Sequence, residues 1–282
     1  MTTDPGTIPP HALRRVIETA LEEDAPWGDV TSETLIPVEA TATATLGARE
    51  PGVLSGGAVF VAVMHAVDPS IQAVVHVADG THFAAGDVLA TVTGSARAVL
   101  RAERVALNLV QRMSGIATVT AAHVAAAAGT AARIVDTRKT TPGLRALERY
   151  AVRCGGGHNH RTSLSDAVLA KDNHLAVLLA GGIGIGDAIA QARQRLGHTV
   201  HVEVEVDRID QIEPVVAAGV DTIMLDNFTP DELVAGVGIV AGRALVEASG
   251  GVSLDTVAAI AATGVDVISV GALTHSARAL DL

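Results

Sequence analysis

Lysine is almost missing from this 282-residue chain, which has two lysines against eighteen arginines. Cysteine occurs once, at Cys154, so no disulfide can form within the chain, and such usage fits a reducing compartment. Aromatic residues make up 2% against 49% hydrophobic, so a core must be built from Ala, Val, Leu and Ile. No apolar run approaches the roughly 20 residues that span a bilayer, which argues against a membrane protein. The opening "MTTDPGTIPP" has neither the basic start nor the apolar stretch of a secretory signal. A net charge of −11 with so few aromatics argues against nucleic acid as a partner. A cytoplasmic protein that binds neither nucleic acid nor membrane is expected.

Against this acidic background stands one basic segment. Residues 133–171 hold eight basic side chains, both lysines among them, and only three acids. A small anionic ligand is the simplest account of such a segment.

The chain changes character along its length. Residues 11–24 place Leu13, Val16, Ile17, Ala20 and Leu21 on one helical face. From about 38 to 97, short apolar runs are broken by Gly, Pro and Asp, and "VADGTHFAAGDVLATVTG" reads as strands and tight turns. A lipoyl or biotinyl carrier would need a lysine here, and none precedes Lys139. The next run, "RAVLRAERVALNLVQRMSGIAT", predicts a helix without breakers until Gly115. Arg101, Arg104, Asn108 and Gln111 form its polar stripe, opposite Val99, Ala102, Ala106, Leu109 and Met113. After residue 130, strand-like runs ("RIVDT", "AVLAK", "TVHVEVEV", "DTIMLD", "ALVEA", "VDVISVG") alternate with helical ones. That repetition predicts a parallel sheet closed into an α/β barrel.

Each predicted strand ends in polar residues: Asp136 to Lys139, Lys171 to His174, Glu203 and Glu205, Asp226 and Asn227, Glu247 and Ser249 to Gly251, then Gly271. Barrel enzymes assemble their sites at this C-terminal rim. In "TVHVEVEV" a period of two puts His201, Glu203 and Glu205 on one face. Glu205 and Asp226, 21 residues apart on adjacent strands, suit Mg2+, which takes one or two carboxylates with substrate phosphates. They could equally neutralise nearby Arg and Lys. "EASGGVSLDT" offers Ser249, Gly250 and Gly251 as an anion site at a helix N-terminus. Cys154, His158 and His160 in "CGGGHNHR" lack a fourth zinc ligand and adjoin Arg161, so zinc is disfavoured. Arg138, Lys139, Arg161 and Lys171 at one barrel mouth are too many cations for one phosphate. They call for a small ligand with more than one carboxylate.

The ordered motifs "DTRKTTPGLR", "GGGHNHR", "KDNH", "EVEV", "MLDN" and "EASGG" closely resemble the quinolinate phosphoribosyltransferase family. "WGDVTSETL", "ERVALNLVQRMSGIAT" and "VGALTHSARALDL" extend the likeness over nearly the whole chain. The resemblance implies an N-terminal α/β sandwich over residues 1–115 and an incomplete parallel α/β barrel of about seven strands over 116–271. Residues 272–282 would return to the N-terminal domain. It implies an enzyme that joins quinolinate to phosphoribosyl pyrophosphate (PRPP), with Mg2+ as cofactor, in NAD synthesis. Thr137, Arg138, Lys139, His160, Arg161 and Lys171 would hold quinolinate. Arg104 would reach the site of a neighbouring subunit in a homodimer or larger assembly. PRPP would fall to Lys139, Lys171, Asp172, Asn173, His174, Glu205, Asp226, Ser249, Gly250, Gly251 and Gly271. Glu205 and Asp226 would hold Mg2+ directly or through water, and with Lys139 and Lys171 make up the catalytic set. Rivals are a nicotinate phosphoribosyltransferase or a metal-uptake accessory protein of similar sequence, although one carboxylate would not require this many cations. A Schiff-base aldolase using Lys171 or Lys139 is a third.

Overall fold

In the computed structural model, residues 6–282 are described, apart from the side chain of Leu179. The chain forms two compact units: residues 122–139 with 158–272, and the described remainder. None of the described helices is long and apolar enough to cross a membrane.

The first unit begins with α1 (Pro10–Asp24), α2 (Val30–Leu35), β1 (Thr41–Gly47), β2 (Gly52–Val53) and α3 (Gly57–Val67). It continues through β3 (Gln72–Val75), β4 (His82–Phe83), β5 (Val88–Ser95) and the start of α4 (Ala96–Ala126). Strands pair antiparallel in the order β1-β5-β3, with β2 and β4 as a separate pair. Val16 and Ile17 of α1 are buried as their helical spacing requires. The helix expected to end near Gly115 instead runs on to Ala126. Gly115 is no breaker there. A Cβ would stand 1.9 Å from the carbonyl oxygen of Arg278, so the residue lets the C-terminal segment lie against the helix.

Residues 140–157, which carry α5 (Arg145–Cys154), belong to the first unit, as do residues 273–282. The reason is hydrogen bonding. Tyr150 donates to Asp79 Oδ2 at 2.8 Å, and Arg112 on α4 pairs with the buried carboxylate of Glu148 at 2.9 Å. Gln111 Nε2 donates to the Leu282 carbonyl at 3.0 Å.

The second unit is a six-stranded parallel sheet. Its strands are β6 (Arg133–Val135), β7 (Val168–Ala170), β8 (Val202–Val206), β9 (Thr222–Asp226), β10 (Leu245–Ser249) and β11 (Val267–Ser269). They lie in the order β6-β11-β10-β9-β8-β7. All six predicted strands form. Beside β6 stands a single parallel bridge between Val135 and His158, short of a seventh strand. Crossovers carry α6 (Asp172–Ala180), α7 (Ile185–Arg195), α8 (Ile212–Ala217), α9 (Pro230–Val240) and α10 (Val257–Ala261), and α11 (Ala272–His275) follows β11.

Capping starts α9. The Thr229 hydroxyl accepts the Glu232 N–H while Glu232 reaches back to the Thr229 N–H, with Pro230 in the first turn. Leu233 and Val240 then face the sheet. Burying Ile223, Leu225 and Leu233, each at most 1% exposed, contributes about 1.5–3 kcal/mol apiece. This aliphatic layer fixes the strands, and the strands fix the rim.

Candidate active site

Along β8 the side chains alternate, so Val202, Val204 and Val206 share one face and Glu203 and Glu205 the other, with all five buried. The parallel register sets Glu205 level with Met224 on β9, and Met224 level with Glu247 on β10. Asp226 is level with Ser249. The carboxylates of three strands are thereby gathered at one end of the sheet.

There a cavity of about 400 Å3 opens. Thr137, Arg138, Lys139, His160, Arg161, Lys171, Glu205, Asp226 and Ser249 line it, nine of the sequence-predicted site residues together. The volume suits a small organic ligand. Lys171 is ion-paired with Glu205 through Nζ and Oε2. Asp226 Oδ2 accepts from Asn227 Nδ2 at 2.7 Å. Arg138 Nε is buried and has no hydrogen-bond partner among the described residues. The pKa of Arg161 is lowered by burial and by the charge of Arg138, a sign that two guanidiniums are held close. Such a pair calls for an anion.

The other predicted residues fall outside the cavity lining. Asp172, Asn173 and His174 are exposed in the first turn of α6, where the Lys171 N–H donates to His174 Nδ1 at 3.0 Å. Gly271 lies two residues after the end of β11. Arg104 is exposed on α4 in the first unit, while Val99, Ala102, Ala106, Leu109 and Met113 on its opposite stripe are buried.

The glycines after β10 differ from expectation. Gly250 and Gly251 do not begin a helix. Both adopt left-handed backbone (φ +89° and +60°), and α10 starts only at Val257. Any anion here would meet the N–H groups of a tight turn rather than a helix end. Gly250 is obligatory, since a Cβ would stand 2.2 Å from Asn227 Oδ1 and 2.8 Å from its backbone nitrogen.

Behind the cations lies a buried acidic cluster. His160 Nε2 stands 3.1 Å from Glu203 Oε2 and 3.4 Å from Glu247 Oε2. Burial opposes a proton on His160, while hydrogen bonds to the two carboxylates and their charges favour one at Nε2. Burial in turn raises the carboxyl of Glu203. These three are the only cluster of at least three close metal-type donors among the described residues. Cys154 stays outside it, its thiol pushed up to about 12 by burial.

Glu247, Ser269, Leu169 and Met224 also line the cavity but were not among the predicted site residues. The period-two reading of "TVHVEVEV", extended to "ALVEASG" and "VDVISVG", puts Glu247 with Ser249 and Ser269 with Gly271. It would have found two of the four.

Comparison with known proteins agrees with this geometry. Residues 29–114 match the quinolinate phosphoribosyl transferase N-terminal domain, and residues 116–282 match the C-terminal domain of the same family. A nicotinate-nucleotide pyrophosphorylase [carboxylating] of Mycobacterium leprae is 44% identical over 277 residues, covering 96% of each chain. A probable nicotinate-nucleotide pyrophosphorylase [carboxylating] of Bacillus subtilis is 41% identical over 270 residues, covering 96% of this chain and 92% of that one. The crystal structure of NadC from Streptococcus pyogenes superposes with a TM-score of 0.92 at 40% identity, covering 98% of this chain and 96% of the other. With both family domains present in order, and relatives alike over nearly their full length, the chain belongs to the quinolinate phosphoribosyltransferase family.

Proposed function

We propose that the chain joins quinolinate to PRPP, releasing nicotinate mononucleotide, CO2 and pyrophosphate, as a cytoplasmic homodimer that uses Mg2+. One observation carries the reading: Arg138, Lys139, Arg161 and Lys171 share one cavity of about 400 Å3. Two carboxylates on one small ring match that cluster. A single phosphate or carboxylate does not.

Quinolinate binds against Arg138, Lys139, Arg161 and Lys171, with Thr137 and His160 beside it. PRPP lies toward Glu205, Asp226, Ser249, Gly250, Gly251 and Gly271, with Asp172, Asn173 and His174 at the edge. Arg104 is supplied by the partner subunit. The donor set fits Mg2+: hard carboxylate oxygens from neighbouring strands, with Asp226 Oδ1 left without a partner among the described residues. When bound, the ion offsets the charge that develops on departing pyrophosphate.

The chain's own residues supply orientation and field. Lys171, held by Glu205, sets its charge beside the carboxylate-binding cations. The pyridine nitrogen attacks C1 of the ribose as the bond to pyrophosphate breaks. The ring, now a pyridinium, takes up the electron pair left when CO2 departs from the adjacent carbon, and that carbon then gains a proton. Fixed cations near the carboxylates align nitrogen and C1, and no covalent nucleophile is required. The Schiff-base reading is weaker. Lys171 is ion-paired with Glu205 and 46% exposed, and Lys139 is exposed, so neither is desolvated.

The test is release of CO2 from PRPP with quinolinate, set against turnover of nicotinate. Nicotinate leaves one partly buried cation unpaired, at a cost of about 2 kcal/mol or more. Comparable turnover of the two acids would overturn the assignment.

A further inference from the structure

Neither substrate binding nor the metal has been assigned to Glu203 and Glu247, yet both are nearly inaccessible, at 3% and 2% exposure. They come from β8 and β10 and meet at one atom, His160 Nε2. On the opposite side of the ring the backbone N–H of Arg161 donates to Nδ1 across 2.7 Å. A nitrogen that accepts carries no hydrogen, so the hydrogen of the neutral ring sits on Nε2, between the carboxylates. A second proton, which the carboxylates favour, has no place on Nδ1 while the Arg161 N–H occupies it. The backbone is staked as well, since Asp136 accepts the His160 N–H at 2.8 Å and Asn159 Nδ2 at 2.6 Å. Both ring nitrogens are therefore engaged, and the imidazole is not available as a general acid or base.

We propose that Glu203 and Glu247 are positioning residues, which grip the Nε2–H of His160 so that its Nδ1 anchors the Arg161 N–H and sets where the Arg161 guanidinium meets a substrate carboxylate. The far end of that guanidinium is tied independently, with Nη1 donating to the Ala167 carbonyl at 3.1 Å. Arg161 is thus held at its backbone through His160 and at its tip through Ala167. The inference rests on the assignment of the cavity to a pyridine dicarboxylate and names what keeps its cations in place.

Two measurements test it on the full-length protein. The first is the 15N spectrum of the histidine-labelled wild type, in which His160 should show one pyridine-type and one pyrrole-type nitrogen. The second compares Glu247→Gln, which keeps an acceptor oxygen, with Glu247→Ala. The alanine variant should raise the KM for quinolinate by about tenfold, the usual loss for a hydrogen bond to a charged acceptor. Its KM for PRPP should move far less, and the glutamine variant should recover most of the loss. An imidazolium signal in the wild type, or glutamine no better than alanine, or equal rises in both KM values, would each overturn the proposal. If the alanine variant does not fold, Glu203→Gln and Glu247→Gln with the wild-type spectrum decide it. Absence of CO2 release by the wild type would instead remove the substrate assignment, and the ring spectrum would report separately on the clamp.

Discussion

Replacing Gly250 with alanine perturbs the rim at one identifiable contact. The residue sits at φ +89°, and an alanine there costs about 1 kcal/mol in backbone strain. The new Cβ would also press on Asn227, 2.2 Å from Oδ1 and 2.8 Å from the main-chain nitrogen, so Asn227 must move. Asn227 already occupies left-handed backbone at φ +60°, and its Nδ2 holds Asp226 at 2.7 Å. Losing that bond adds roughly 1 kcal/mol, which brings the total to about 2 kcal/mol. Gly251→Ala is the internal control. Its φ is +60°, but its Cβ meets nothing within 4 Å, so only the strain of about 1 kcal/mol remains. Urea unfolding followed by far-UV circular dichroism reads the difference, because the sole tryptophan, Trp27, lies in the first unit. The two midpoints should differ by roughly 0.3–0.5 M for a slope of 2–3 kcal/mol/M. Coincident midpoints would refute the argument that Gly250 is fixed by its approach to Asn227.

Glu205→Ala and Asp226→Ala should weaken the use of Mg2+ and PRPP more than quinolinate binding, with metal-free calorimetry of quinolinate as the control; a collapse of quinolinate affinity alone would mean the subsites are reversed. Mixing Arg104→Ala with Lys171→Ala subunits under exchange should restore about a quarter of wild-type activity, since half the dimers are mixed and each then has one intact site. No recovery despite proven exchange would place Arg104 in its own subunit's site. Cys154, buried and raised to about 12, should resist iodoacetamide at pH 8 in the native protein and react once unfolded. Labelling of the native protein at the unfolded rate would contradict that burial.

The strands of the second unit were legible because a parallel sheet buried on both faces demands apolar runs, and its rim demands polar ends. "VEVEV" shows both at once, with valines toward the helices and carboxylates toward the cavity. The cationic segment was legible only in part: Arg138, Lys139, Arg161 and Lys171 line the cavity, whereas Arg145, Arg149 and Arg153 of the same segment lie on α5 in the first unit. Local pattern failed at Gly115, where a residue that usually ends a helix admits a segment more than 160 positions away. It failed again after β10, where glycines read as a helix start form a left-handed turn instead.

Composition, strand periodicity and ordered motifs by themselves determined the fold class, the family and nine residues of the cavity lining. Each of these depends on residues near one another in the chain or on their order. Only the tertiary structure decided that α5 joins the first unit, that Glu203 and Glu247 converge on one imidazole nitrogen, and that Asn227 needs a glycine beside it. Those are distances between atoms far apart in sequence. They are set by the register of neighbouring strands and by the side chains packed behind them, and no local pattern records either.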